Sequence, residues 1–202
     1  MSEKTISILL CGVGGQGILL ASAITAKAAI LAGYDVKTNE VHGMAQRGGS
    51  VTASVRFGRN VHSPLIELGG ADAMLSLEAI EAIRCHQYLK AGGVAVVSMQ
   101  RVIPITVSSG RAEYPCPDEI LPALFPRLRF IDAIAEAQAL GNPKTANVLL
   151  LGALAAMSTH LPASAWEEAL REGVQPTIST HRHRSRHNGA RFLPTEPHNQ
   201  PR

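Results

Sequence analysis

The stretch that most constrains the fold of this chain is a glycine-rich turn, Gly12-Val13-Gly14-Gly15-Gln16-Gly17. An apolar run precedes it over residues 5–11, and a run rich in Ala, Ile and Leu follows it over residues 17–32. This order predicts a buried strand, a tight turn and a helix. The glycines fit G-x-G-x-x-G, which gathers backbone N–H groups at a helix start, where an anion can bind. A plain strand-to-helix connection would satisfy the same pattern, so the turn alone leaves the ligand open.

The rest of the chain repeats the alternation of strands and helices. Further strands are predicted over residues 34–41, 51–57, 73–77, 94–99, 102–107 and 127–131, and helices over 78–89, 132–140, 145–159 and 163–172. Because Pro104 has no N–H to donate to a neighbouring strand, the strand at 102–107 is predicted to lie at a sheet edge. The glycine loop between the strands 34–41 and 51–57 favours an antiparallel pair. We therefore predict an α/β protein, with a three-layer Rossmann-like fold, a mixed but mostly parallel sheet and a helical C-terminal part.

A second glycine-rich segment, residues 42–50, follows a strand at the edge where α/β proteins place their sites. His42 could act as a general base, because imidazole titrates near neutral pH. Arg47 could hold a carboxylate or phosphate through two parallel hydrogen bonds. The segment could instead be a docking surface or an ordinary loop. The candidates for ligand or partner contact in the two segments are Gly12, Gly14, Gly15, Gln16, Gly17, His42, Gln46, Arg47, Gly48, Gly49 and Ser50.

The remaining residues show no catalytic set. No Ser-His-Asp or Cys-His arrangement is visible, and the carboxylates are predicted to lie on solvated helix faces, so the catalytic residues stay unknown. Residues 144–147 open a helix after Pro143, where they serve either as a cap or as a second polar contact.

Cys11, Cys85 and Cys116 are far apart and form no C-x-x-C, so this chain alone is expected to hold no metal or iron–sulfur cluster. Cys11 ends an apolar strand and is predicted to be a buried core thiol.

Charge and hydropathy narrow the classes of partner. Residues 181–202 hold five Arg and one Glu, so the rest of the chain carries 14 basic and 15 acidic residues. A nearly neutral body is not expected to bind nucleic acid. No apolar run reaches the ~20 residues that a membrane span needs, and no signal peptide is visible. We expect no membrane partner and a reducing, cytoplasmic location.

A dinucleotide site is one interpretation of the glycine turn. Glu40 follows Gly17 by about twenty residues, where a dinucleotide fold places an acidic residue for a ribose. The chain would then be an autonomous nucleotide-dependent oxidoreductase or binding protein. The segment 42–50 argues against this, because it occupies the edge where the adenosine half would lie.

The two glycine segments together, with Val55-Arg56-Phe57-Gly58 after them, resemble one family. The chain is similar, over residues 5–176, to the gamma-type subunit of the 2-oxoacid:ferredoxin oxidoreductases, and most similar to the beta subunit of the indolepyruvate ferredoxin oxidoreductases. The domain is therefore expected to span residues 1–176, followed by a flexible basic tail over 177–202.

This resemblance implies a subunit that is inactive alone. The complex would oxidatively decarboxylate an aryl pyruvate, with coenzyme A as acyl acceptor and ferredoxin as electron acceptor. A larger alpha subunit would be the partner and would carry thiamine diphosphate and the iron–sulfur clusters. The two glycine segments would lie near this partner or the path of substrate and coenzyme A, with Arg47 as the first candidate for an anionic contact.

Overall fold

A computed structural model describes residues 4–43 and 48–173 of the chain. The strands are β1 (Ile6–Val13), β2 (Asp35–His42), β3 (Ser50–Gly58), β4 (Ala71–Ser76), β5 (Leu89–Ser98) and β6 (Leu128–Ile131). The α-helices are α1 (Ile18–Leu31), α2 (Ala79–Cys85), α3 (Ile105–Ser108), α4 (Pro117–Leu124), α5 (Ala133–Ala139), α6 (Ala146–Met157) and α7 (Ala163–Gly173). Within these ranges no helix is long and apolar enough to cross a lipid bilayer. The tail predicted over 177–202 lies outside the described residues.

The six strands form one mixed sheet in the order β2-β3-β1-β4-β5-β6. Only β3 runs against its neighbours, β1 and β2, while the pairs β1–β4, β4–β5 and β5–β6 are parallel. The predicted mixed, mostly parallel sheet and the β2–β3 hairpin are therefore confirmed. The hairpin folds β3 between β1 and β2, so the two strands joined by α1 are not neighbours.

Helices cover both faces of this sheet and make three layers. Every side chain of β1 is buried. Ile8 and Leu10 of β1 pack in a cluster with α1, α6 and α7, whereas Leu9 and Cys11 pack with α2 and α4. The alternation along β1 thus builds two cores, one on each face.

One local prediction was wrong. Residues 102–107 form no strand, because α3 begins after Pro104 and β6 takes the place at the sheet edge beside β5. Pro104 has the extended conformation of an N-cap, and its fixed φ suits a helix start. The helix predicted over 78–89 is confirmed: Glu78 caps α2, a 3₁₀ turn continues from Cys85 over His86–Tyr88, and β5 begins at Leu89.

Candidate functional site

The glycine turn lies at the carboxyl ends of β1 and β4. The helices that follow these two strands, α1 and α2, pack on opposite faces of the sheet. Between such strands the connections diverge and leave a crevice, which is the usual ligand position in open α/β sheets. The predicted turn therefore stands where an α/β fold of this topology would place a site.

The side chain of Gln16 holds the turn together from inside. Its Oε1 accepts a hydrogen bond from the Val13 N–H at 2.7 Å, and its Nε2 donates to the Leu77 carbonyl at 3.0 Å and to Gln100 Oε1 at 2.9 Å. A Cβ on Gly12 would lie 2.7 Å from Gln16 Oε1, so Gly12 leaves room for this amide. Both were predicted as ligand or partner contacts, and here the Gln16 amide is used within the chain.

Two other glycines give the turn its shape. Gly15 and Gly17 have φ of 101° and 87°, in the left-handed region that other residues rarely adopt. Gly17 is the N-cap of α1 and supplies no side-chain cap. Gly14 donates its N–H to the Gly49 carbonyl at 2.9 Å. The N–H groups of Gly15 and Gly17 make no hydrogen bond to another described residue, so they and the first turn of α1 are the donors left for a ligand.

The β2–β3 hairpin brings the second glycine segment against this turn. His42 ends β2 opposite Val51, and the Gly43 N–H donates to the Ser50 carbonyl at 3.1 Å. Ser50 also donates its hydroxyl to Glu81 Oε2 of α2 at 2.6 Å. Gly48 is exposed, with a φ of 75°. Gln46 and Arg47 lie outside the described residues.

An open cleft of about 670 Å³ runs between the turn and the hairpin. We call it the hairpin cleft; it is lined by Gly14, Gly15, Gly17, Ile18, Leu19, Leu20, His42, Gly43 and Val51. Its walls are mostly apolar, with Leu19 and Leu20 partly exposed to solvent. The structure thus brings the two predicted segments together around one space, with His42 at its rim.

A second cleft, of about 470 Å³, lies on the other side of the turn. We call it the helix-start cleft, because the starts of α1 and α6 border it with Gly15, Gly17, Gln100, Lys144 and Asn147. A Cβ on Gly17 would lie 2.5 Å from Asn147 Nδ2, so the missing side chain lets α6 approach the turn. Lys144 and Asn147 were predicted as a cap or a second polar contact, and they border the cleft. Nothing in the sequence indicated Gln100. It follows β5, and the pairing of β5 with β4 brings it to the turn, where its side chain accepts a hydrogen bond from Gln16.

The first turn of α2 carries two buried carboxylates. Glu78 and Glu81 are 1% and 4% exposed, so the prediction of solvated carboxylates was wrong for both. Glu78 caps α2 by accepting from the Glu81 N–H at 2.8 Å, and it accepts from the Val102 N–H at 3.1 Å. Burial raises the pKa of Glu78 above its ordinary value.

The three cysteines do not converge on one point. Cys11 is buried, as predicted, and it packs with Cys85 under α2, whereas Cys116 is exposed before α4. A hydrogen bond with Cys85, together with burial, holds the pKa of the Cys11 thiol well above its ordinary value. Within 4–43 and 48–173, no group of three His, Cys, Asp or Glu side chains could hold a metal ion. These residues therefore do not fit an iron–sulfur cluster, which needs converging thiolates.

Sequence comparisons connect the chain to known oxidoreductase subunits. Residues 7–179 match the family described as pyruvate ferredoxin/flavodoxin oxidoreductase. Indolepyruvate oxidoreductase subunit IorB from Thermococcus kodakarensis is 41% identical over 179 residues, which cover 87% of each chain. The IorB subunit from Pyrococcus horikoshii is 42% identical over 179 residues, covering 86% of this chain and 88% of the relative.

Solved structures share the fold. The gamma subunit of a keto/oxoacid ferredoxin oxidoreductase from Geobacter sulfurreducens has a TM-score of 0.60 and 26% identity, covering 83% of this chain and 85% of the other. A 2-oxoglutarate:ferredoxin oxidoreductase from Magnetococcus marinus has a TM-score of 0.61 at 19% identity, and only 27% of that longer chain is matched. The same fold thus occurs there as one part of a larger polypeptide.

Proposed function

This chain belongs to the pyruvate ferredoxin/flavodoxin oxidoreductase family, and we propose that it is the smaller subunit of an indolepyruvate oxidoreductase. The complex would convert an aryl pyruvate to the acyl-coenzyme A, release carbon dioxide and pass two electrons to ferredoxin. The identity of 41% to IorB subunits over most of both chains supports this substrate class. We expect the complex in the cytoplasm, where the three free cysteines would stay reduced.

The larger partner subunit would carry the redox groups. Thiamine diphosphate supplies a carbanion-stabilising centre in such reactions, and iron–sulfur clusters would carry the electrons. The scattered cysteines of this chain agree with that division. This subunit would complete the assembly by presenting its glycine turn and hairpin to the partner or to the anionic groups of coenzyme A.

The observation that carries the proposal is the hairpin cleft itself. It joins the two segments of the family resemblance, yet the described residues that line it include no Ser, Thr, Cys or Lys side chain that could act as a nucleophile. Leu19 and Leu20 stay 47% and 39% exposed at its edge. Exposed apolar side chains that continue into a cleft are typical of binding surfaces. We therefore assign contact, rather than proton transfer, to His42. From the sequence alone we assign contact with an anionic group to Arg47, and a ligand or partner hydrogen bond to Gln46.

Reconstitution tests this assignment. The chain is mixed with the larger subunit of an indolepyruvate oxidoreductase from the same source, and coenzyme A-dependent ferredoxin reduction is followed with indolepyruvate. The larger subunit should need this chain for its activity. Equal rates with and without the chain would refute the proposal.

Two matched variants test the surface. Leu20→Asp places a charge at the edge of the hairpin cleft, whereas Leu68→Asp places one on a loop outside it, where the side chain is 64% exposed. We expect Leu20→Asp to raise the concentration of this chain needed for half-maximal activity by about tenfold, because a buried interfacial charge is strongly unfavourable. Leu68→Asp should leave it unchanged. Equal effects of the two variants would place the contact elsewhere.

The alternative of an autonomous dinucleotide enzyme has less support. In a dinucleotide fold the acidic residue for the ribose ends the strand beside β1. Here β3 occupies that place, and Glu40 lies exposed on β2, which is one strand further out and about 10 Å from β1 at ordinary strand spacing. Calorimetry of the full chain with NAD, NADP, FAD and coenzyme A distinguishes the two functions, because heat with a dinucleotide alone would favour the alternative.

A further inference from the structure

A buried carboxylate on α2, Glu81, has no role in the function proposed above. Its side chain is 5% exposed, and its carboxylate accepts hydrogen bonds from Ser50 Oγ at 2.6 Å and from Arg84 Nη1 at 3.1 Å. Burying a carboxylate is unfavourable unless hydrogen bonds compensate it. The partners of Glu81 therefore indicate what the residue holds in place.

Helix capping does not account for Glu81. It is the third residue of α2, where a Glu side chain usually reaches back to the N-cap N–H in a capping box. Here Glu78 performs the capping by accepting from the Glu81 N–H at 2.8 Å. The Glu81 carboxylate points to Ser50, a residue 31 positions away in sequence. Its hydrogen bond joins α2 to the hairpin, not to its own helix start.

Ser50 is the point where the hairpin meets the glycine turn. It begins β3 opposite Val13 of β1, and its carbonyl accepts from the Gly43 N–H at 3.1 Å. The preceding residue, Gly49, accepts from the Gly14 N–H at 2.9 Å. Movement of Ser50 would therefore shift both walls of the hairpin cleft together.

We propose that Glu81 is a positioning residue that fixes the hairpin against the glycine turn through Ser50. The carboxylate sets where β3 begins, and the backbone bonds of Gly43 and Gly49 transmit that position to the cleft. The consequence for activity rests on the function proposed above, but the consequence for the cleft does not.

Residue-resolved hydrogen exchange of the full chain tests the positioning. Ser50→Ala and Glu81→Ala should each speed exchange of the Gly14 and Gly43 amides by about tenfold, the effect of losing one charge-assisted hydrogen bond. The double variant should be no faster than either single variant, because both remove the same bond. Ser50→Thr keeps the hydroxyl and should restore slow exchange.

Ser54→Ala is the matched control. It removes a buried serine hydroxyl bond from the same strand, to the Pro64 carbonyl at 2.7 Å, away from the cleft. It should leave exchange at Gly14 and Gly43 unchanged. Unchanged exchange in Ser50→Ala, or an additive double variant, would overturn the proposal. Should Glu81→Ala fail to fold, Ser50→Ala and Ser50→Thr decide alone, because both are small changes.

The reconstituted complex gives a second readout. Ser50→Ala should raise the half-saturating concentration of this chain about tenfold while the maximal rate at saturation changes less than about threefold. An equal loss of maximal rate and affinity would contradict positioning. If wild-type chain fails to support activity while the exchange effects appear, the proposed function is wrong and the positioning role stands.

Discussion

The substitution Gly12→Ala tests how tightly the glycine turn is built. The new Cβ would lie 2.7 Å from Gln16 Oε1, 3.1 Å from Ile18 Cδ1 and 3.1 Å from Leu77 Cβ. Ile18 can rotate its terminal methyl away, but Leu77 Cβ is fixed to the backbone at the end of β4. The Gln16 amide must therefore leave, and it would lose its bonds to Val13, Leu77 and Gln100.

The magnitude follows from these two effects. Overpacking a well-filled site is destabilising by about 1–3 kcal/mol, and each lost hydrogen bond adds about 0.5–1.5 kcal/mol. Because the freed amide can partly reach water, we expect a total loss of about 2–4 kcal/mol in the free energy of unfolding. For a domain of this size that lowers Tm by roughly 5–12 °C. Urea unfolding of the full chain, followed by circular dichroism, measures it.

A second substitution separates the clash from other causes. Gln16→Ala removes the closest obstacle, so the double variant Gly12→Ala/Gln16→Ala should be more stable than the sum of the single effects by about 1 kcal/mol or more. Gly152→Ala is the control: its Cβ would meet nothing within 4 Å in α6, and it should stabilise by about 0.5–1 kcal/mol. A loss below about 0.5 kcal/mol for Gly12→Ala, or strict additivity with Gln16→Ala, would refute this account of the turn.

Three further predictions concern the buried carboxylate, a helix cap and the predicted anionic contact. Burial raises the pKa of Glu78 in the folded state above its ordinary 4.5. Above about pH 4.5 the folded state therefore binds more protons at this site than the unfolded state, and stability should fall as the pH rises. Glu78→Gln should flatten that part of a Tm–pH profile. Asp132 accepts a hydrogen bond from the Ala135 N–H at 3.1 Å, and Asp132→Ala should lower the free energy of unfolding in urea by about 1 kcal/mol. An unchanged midpoint of urea unfolding would contradict this role as a helix cap. Arg47→Ala should reduce activity of the reconstituted complex about tenfold or more with Tm of the chain unchanged, whereas Arg59→Ala, at an exposed loop position, should affect neither; a large fall in Tm would show that Arg47 supports the fold instead.

The elements around the site could be predicted where their signal is local. The glycine turn, β1 and α1 form one continuous pattern of apolar residues and glycines, and the alternation in residues 51–57 matches the half-buried strand β3. The two segments of the hairpin cleft were also predicted to share one edge of the sheet. Strand direction and the position of a strand's end were enough for that inference.

The parts that failed depend on contacts between distant segments. Glu78 and Glu81 look like solvated helix residues in sequence, and only Val102 and Ser50, brought close by the sheet, explain their burial. Residues 102–107 have the composition of a strand, but no neighbouring strand is left for them to pair with once β6 has joined β5. Strand pairing and buried hydrogen bonds depend on tertiary contacts, and the intrinsic secondary-structure preferences of the residues do not predict them.

The position of β3 decides what the glycine turn can do. In a dinucleotide site the turn needs open backbone donors and a neighbouring strand that ends in an acid. Here β3 takes the place of that strand, Gly49 just before β3 accepts a hydrogen bond from the Gly14 N–H, and Gln16 fills the interior of the turn. The donors that remain are those of Gly15, Gly17 and the first turn of α1, and Gly15 and Gly17 line both the hairpin cleft and the helix-start cleft. The interior of the turn is filled by Gln16, and in the described part of the chain free backbone donors remain only at its surface. Such a turn suits contact with a partner or a shared ligand better than it suits enclosure of a cofactor within this chain.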